Sequence, residues 1–302
     1  MKKKFSKAAR REEIEGYLCI SPWIIGFLVF TLFPFLFSIY LSLTKYGYVS
    51  APEFVGLAHF KKALLNDPLM KRSLGVTFRF AAMFLPLELI LSFGTALLLN
   101  LRVRGMNIYR TVFYLPSVLP MVSVSLLWIW ILNPKFGVVN AALATFGIKG
   151  PGWLFSPDWA LPALVMMSLW GIGRSVIVYL AGLQNINSEL YDAANVDGAG
   201  AASCFRHVTV PMMSPVIFFN LIMGIIGAFQ VFAQAFIMTG GGPARATYFY
   251  MLYLYSNAFE FFKAGYASAL AWIMFVIIMF FTLLVVRSSS AWVYYEGQLK
   301  GR

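Results

Sequence analysis

Six stretches of this chain are long and apolar enough to cross a bilayer, and they decide what it can fold into. They run over roughly 17–43, 75–99, 108–132, 159–183, 215–238 and 264–286, and a helix needs about 20 such residues to span the hydrocarbon core. Backbone polar groups in lipid must be satisfied within the chain, so these stretches are expected to be helices. The alternating polar and apolar pattern of a membrane barrel is absent. The expected fold is therefore all-α, a polytopic membrane protein with six transmembrane helices. Charged residues make up 12% of the chain, about half the share in a soluble domain, which agrees.

The start, MKKKFSKAARREEIEGY, has the charge of a signal peptide's leading end. The apolar run behind it is longer than a signal core of about 7–15 residues, and no small-residue cleavage pattern follows. It is expected to remain as the first span. The dense Lys and Arg of KKKFSKAARR orient that span with the N-terminus in the cytoplasm. Six crossings return the C-terminus to the same side. This divides the chain into a tail (1–16), a six-span domain (17–286) and a second tail (287–302).

The net charge of +12 is not gathered into a basic groove with interleaved aromatics, so nucleic-acid binding is excluded. Cys19 and Cys204 lack the spacing of a disulfide framework or a metal site. Of the outer segments, 44–74 carries apolar residues at helical spacing among lysines, which predicts an amphipathic helix at the membrane surface. Segment 133–158 is punctuated by Gly and Pro. Both are expected to face something outside.

Between spans four and five the sequence turns polar and small: YDAANVDGAGAASCFRHVTVP, within a loop over 184–214. Asn187 or Ser188 is a good N-cap, and ELYDAANVD then reads as a short helix. Gly198 and Gly200 supply a turn, and AASCFRHVTV predicts a second short helix stopping near Pro211. Ala193, Ala194 and Gly198 leave the backbone bare for close approach. Leu190, Tyr191 and Phe205 can anchor apolar contacts, and Asp192 and Asp197 can pair with a basic partner. On these residues alone, two uses stay open: a docking element projecting from the membrane, or a loop packed on the chain's own spans.

Charges at mid-membrane are functional candidates, and here they are Glu88 and Arg174. Met167, Trp170, Gly171 and Arg174 share one face of span four. On span five, Asn220, Gly224, Gly227, Val231 and Gln234 form a second stripe flanked by Gln230. A ring, amides and glycine-made space suit a sugar, since rings stack on its C–H faces and amides bond its hydroxyls. The alternatives are a Glu88–Arg174 ion pair, or pairing of either with another subunit, and tight packing through the small residues of span five.

No G-x-x-x-x-G-K-[ST] phosphate cradle occurs, and the Gly-rich TGGGPARA has no Lys after its glycines. The chain is thus not expected to hydrolyse ATP. Cys204 and His207 lie on one helix with no third orienting group in view, so a nucleophile pair is not expected there. An enzyme acting on lipid-linked sugars would need more deep acids than Glu88. A passive channel would not need a docking element.

The 184–214 loop resembles the cytoplasmic signature of permeases from binding-protein-dependent ABC importers. That pattern is Glu-Ala-Ala, three residues, Gly, nine residues, then Ile-x-Leu-Pro. Here it reads Asp192, Ala193, Ala194, then Gly198, then Val208, Val210 and Pro211, with Asp for Glu and Val for Ile and Leu. YLCISPWIIGFLVFTLFPFLFSIYLSLT, FVGLAHF, RTVFYLP, VIVYLAGLQNI, GGPARAT, FEFFKAGYASALAW and WVYYEG are similar to the carbohydrate branch of these permeases.

The resemblance implies that the two short helices are coupling helices received by an ATPase. It implies a second homologous permease subunit, two ATPase subunits holding ATP and Mg, and an extracytoplasmic solute-binding protein. It implies a multi-pass protein of a bacterial or archaeal cell membrane and a sugar or oligosaccharide solute, with spans four and five lining the cavity. No cofactor is expected on this chain. If Arg174 faces that cavity, the expected solute is anionic, such as a uronic-acid oligosaccharide. Glycerol-3-phosphate or another small anion is the alternative.

Overall fold

A computed structural model describes residues 7–49, 51–101 and 103–294. Among them, regular structure is helical apart from one antiparallel pairing of β1 (Thr44–Lys45) with β2 (Glu53–Phe54). Four helical stretches are long and apolar enough to cross a membrane: Arg11–Ser42, Pro68–Leu99, Ala201–Met238 and Ala264–Trp292. Two bent helix pairs, Met106–Val118 with Met121–Ile131 and Pro157–Trp170 with Gly173–Gln184, complete six when each is counted as one crossing. The chain forms two compact units. Among the described residues, one comprises the chain from Lys7 to Asn66 and Tyr255–Ile273, the other Asp67–Leu254 and the chain from Met274 to Tyr294.

In the first unit, α1 (Lys7–Phe27) runs through a π-helical turn, Leu28–Leu32, into α2 (Phe33–Ser42). The indole of Trp272 lies against Phe35 and donates to Ser38 Oγ at 3.1 Å. The expected surface helix over the 44–74 loop is not formed as one piece. The loop holds the β1–β2 pairing, then α3 (Ala58–Lys61) and a π turn, Lys62–Asn66. The next helix starts afresh because Asp67 accepts from the backbone N–H groups of Leu69 and Met70 at 3.0 Å each, with Pro68 in the first turn, a strong N-terminal stop for anything preceding it. His59 Nε2 donates to the Thr44 carbonyl at 3.0 Å. Burial holds its imidazole below the usual histidine value; the Thr44 bond opposes this and nearby Lys62 adds to it.

The second unit is built on α4 (Pro68–Leu99), which begins well before the expected start of span two. Then come α5 (Met106–Tyr114), α6 (Met121–Ile131), α7 (Val138–Thr145), α8 (Pro157–Trp170), α9 (Gly173–Gln184) and α10 (Ser188–Val196). After these follow α11 (Ala201–Cys204), α12 (Val210–Phe229), α13 (Ala233–Met238) and α14 (Tyr250–Tyr255), and last in the chain comes α15 (Ala264–Trp292), whose part up to Ile273 belongs to the first unit and the remainder to the second. α4 packs on α9 and α12 around a core of Ala96, Val176, Tyr179, Leu183 and Met213. Phe78, Phe229 and Phe281 close a second aromatic cluster, with ring centroids 5.1–5.7 Å apart.

Three expected spans are interrupted rather than straight. Span three bends by 101° between α5 and α6, where Pro116 opens a 3-10 turn and Leu119 and Pro120 are extended. Span four bends by 45° at Gly171–Ile172. Span five breaks at Gln230–Phe232, before α13. The second short helix of the 184–214 loop also differs from expectation. α11 passes through a π turn, Phe205–Thr209, straight into α12, and Pro211 sits in the first turn of α12 instead of ending a helix. A π turn is one of the local adjustments that lets Pro lie within a membrane helix.

Candidate functional site

The three interruptions meet at one place. A cavity of about 590 Å³ is lined by Pro116–Met121 from the break in span three, by Met167, Trp170, Gly171 and Arg174 around the break in span four, and by Gly227, Val231 and Gln234 around the break in span five. Non-helical backbone at membrane depth is tolerated only where protein or a water-filled cavity covers its polar groups. The breaks and the cavity therefore explain each other. The size falls in the range of small-molecule sites, about 300–1,000 Å³.

The span-four residues converge as the sequence spacing predicts. Trp170 is partly exposed and its ring stands 6.0 Å from that of Trp128, edge-on. Arg174 is exposed, and no ion pair joins it to Glu88 among the described residues. Glu88 instead accepts from Ser175 Oγ at 2.6 Å through Oε1, while Oε2 is buried without a partner. The expected alternative of a Glu88–Arg174 salt bridge is thus not formed in this chain.

The span-five stripe divides. Gly227 has nothing within 4 Å of where a Cβ would stand, so it makes space. At Gly224 a Cβ would come within 2.9 Å of Leu85 Cδ2 and 3.3 Å of Glu88 Oε2, so that glycine permits close packing. Asn220 is buried and donates to the Val216 carbonyl at 3.0 Å. With Glu88, Ser175 and Gly224 it lines a second cavity of about 310 Å³, which shares Phe84, Arg174 and Gly227 with the first. Gln234 is buried and donates to Ser168 Oγ at 2.9 Å, so it braces the wall. Gln230 lines neither cavity, because the chain leaves helical geometry at that residue.

Sequence reasoning missed the six residues Pro116–Met121. The signal was present as two prolines four apart inside an apolar run, RTVFYLPSVLPMV, each of which removes a helix hydrogen bond and kinks or breaks the helix.

At the other candidate element, Asn187 caps α10 by accepting from the Glu189 N–H at 3.0 Å. Gly198 has φ +77°, the left-handed turn that favours glycine. Asp192, Ala193 and Asp197 are exposed, Ala194 is half-buried, and Leu190 is exposed. Two of the expected partner-facing anchors make contacts within the chain, although Phe205 stays 41% exposed. Tyr191 Oη shares a hydrogen bond of 2.9 Å with Thr209 Oγ1, and Phe205 stacks on Phe93 at 6.2 Å. They fix α10 and the π turn to the chain itself. Val196, which the sequence did not single out, is 88% exposed and is the bare apolar tip of α10.

Residues 79–293 match the family described as the binding-protein-dependent transport system inner membrane component. The chain belongs to that family. It is a membrane transport subunit and not an enzyme, as its relatives are. The permease is 43% identical over 299 residues to the probable ABC transporter permease protein YesP of Bacillus subtilis, covering 98% of this chain and 96% of that one. It is 33% identical over 279 residues to the sulfoquinovosyl glycerol transport system permease protein SmoG of Agrobacterium fabrum, covering 91% and 90%. A solved bacterial ABC transporter involved in the import of the acidic polysaccharide alginate has a chain that superposes with a TM-score of 0.82. That chain is 25% identical, over 94% of the permease and 98% of its own length. The carbohydrate-permease resemblance seen in the sequence is thus matched along nearly the whole chain.

Proposed function

We propose that this permease forms one half of the pathway of an ATP-driven importer for sugars or oligosaccharides, and that the solute is anionic. The observation that carries the proposal is the cavity where three interrupted spans meet, with an unpaired Arg174 in its wall. Trp170 offers a ring to a sugar's C–H face, and Arg174 offers a fork of donors to a carboxylate. Glycerol-3-phosphate would use the arginine but would leave Trp170 and much of the 590 Å³ unused. Import of an acidic polysaccharide by the solved relative supports the same direction.

In this reading both termini and the 184–214 loop are cytoplasmic, and α10 is received by an ATPase subunit. A second homologous permease closes the pathway, two ATPase subunits bind ATP and Mg, and an extracytoplasmic binding protein delivers the solute. The test is uptake of an acidic and a neutral oligosaccharide by wild type and Arg174→Gln. A charge-assisted hydrogen bond is worth about 1.5–3 kcal/mol, so acidic uptake at low concentration is expected to fall roughly ten- to hundredfold while neutral uptake changes little. An equal fall in both would remove Arg174 from solute selection.

A further inference from the structure

A third cavity, of about 630 Å³, lies away from the pathway, where the end of α4, the start of α5 and the end of α9 come together. Its wall is mostly polar and includes Asn100, Asn107, Arg110, Gln184 and Ser188. Arg110 Nη2 donates to the Leu99 carbonyl at 3.1 Å and so caps α4. Its Nε–H is buried and has no partner. The Leu99 bond is the only one described for the guanidinium, which otherwise brings its positive charge to the wall of a polar cavity; a charged acceptor suits such a donor best.

The surroundings say where that acceptor comes from. The cavity stands where two spans end, which is the depth of lipid headgroups. Leu101 and Val103 at its edge, and Ile108 and Tyr109 between its wall residues in sequence, are exposed and apolar, as a flank covered by acyl chains would be. Arg104, two residues before Met106 of the wall in sequence, is exposed and adds a second positive charge to this segment. Glu189, the nearest acid in sequence, is turned to Asn187 Nδ2 at 3.1 Å and is not in the wall.

We infer that this cavity binds the phosphate of an anionic phospholipid, with Arg110 as the charged donor and Asn107 and Gln184 as neutral donors. Basic pockets between spans at the membrane surface take such headgroups. Gln184 and Ser188 flank the segment that leads from span four into α10. An occupied site therefore ties the root of α10 to the membrane. The cytoplasmic location rests on the orientation proposed above, but lipid binding itself does not depend on it.

The test uses the purified full-length chain in neutral detergent, with phosphatidylglycerol or phosphatidylcholine added and retention read by native mass spectrometry. Wild type is expected to retain phosphatidylglycerol several-fold over phosphatidylcholine. Arg110→Gln should lower that retention about fivefold or more. Because Arg110 also caps α4, a second variant, Asn107→Leu with Gln184→Leu, leaves the Leu99 bond intact and should lower retention as well. Arg79→Gln, whose side chain is exposed and bonds only its own helix at Gly75, should behave as wild type. Equal retention by wild type and Arg110→Gln, or an equal loss in Arg79→Gln, overturns the site. Displacement of the lipid by inorganic phosphate alone keeps an anion site and overturns the lipid as its occupant.

Discussion

Gly173 shows how closely the bent spans are fitted. A Cβ there would fall 2.5 Å from the Phe113 carbonyl oxygen and 3.0 Å from Tyr114 Cα. Both are backbone atoms that cannot swing aside, so overpacking of about 1–3 kcal/mol is expected. Gly173→Ala should lower the thermal unfolding midpoint of the purified protein. Gly94→Ala, with nothing within 4 Å of the added carbon, should leave it unchanged or raise it slightly, since Ala is the better helix former. Equal midpoints for the two variants would show that α9 and span three are not in this contact. Nothing in the sequence separates these glycines: both stand in apolar runs. Met167, Trp170, Gly171 and Arg174 were legible because they sit three or four residues apart, a spacing that survives a 45° bend. The partner of Glu88 was not legible. Opposite charges invite a pairing with Arg174, yet the adjacent Ser175 hydroxyl is the one that reaches it.

At the scale of elements, the α10 turn was readable and the segment after it was not. Asn187 and Gly198 announce a cap and a left-handed turn by residue type alone, and both take those roles. Pro211 announces a helix end by the same logic, but the preceding π turn absorbs it and the helix runs on. Span three failed in the opposite sense, since its hydropathy hid the two prolines that break it. The turn at Gly198 is open, with nothing near a Cβ, so only its backbone angle excludes other residues. A side chain in the left-handed region costs about 1–2 kcal/mol, and a branched one fits worse. Gly198→Val should therefore insert normally into the membrane yet transport several-fold more slowly. Transport at the wild-type rate would mean that the angle between α10 and α11 is not used.

For the whole molecule, the continuity of α11, the π turn and α12 changes how force can enter the pathway. Two separate short helices would require a hinge before span five, whereas here the chain after Gly200 is one rod leading to Gly227 at the cavity. α10 is fastened to that rod by Tyr191 and Thr209, while its opposite side shows Leu190, Asp192, Val196 and Asp197 to the outside. Under the proposed function, association with an ATPase and transmission of its movement would fall on different residues. Asp192→Lys and Val196→Asp should reduce recovery of the ATPase subunit on the tagged permease several-fold, because one reverses a charge and the other buries one against a partner. Tyr191→Phe removes only the hydroxyl, so the ATPase should still co-purify while solute carried per ATP hydrolysed falls. If Asp192→Lys and Val196→Asp leave recovery intact, the exposed side of α10 is not the docking face. If Tyr191→Phe abolishes recovery, docking and transmission share one surface and the rod is not the path between them.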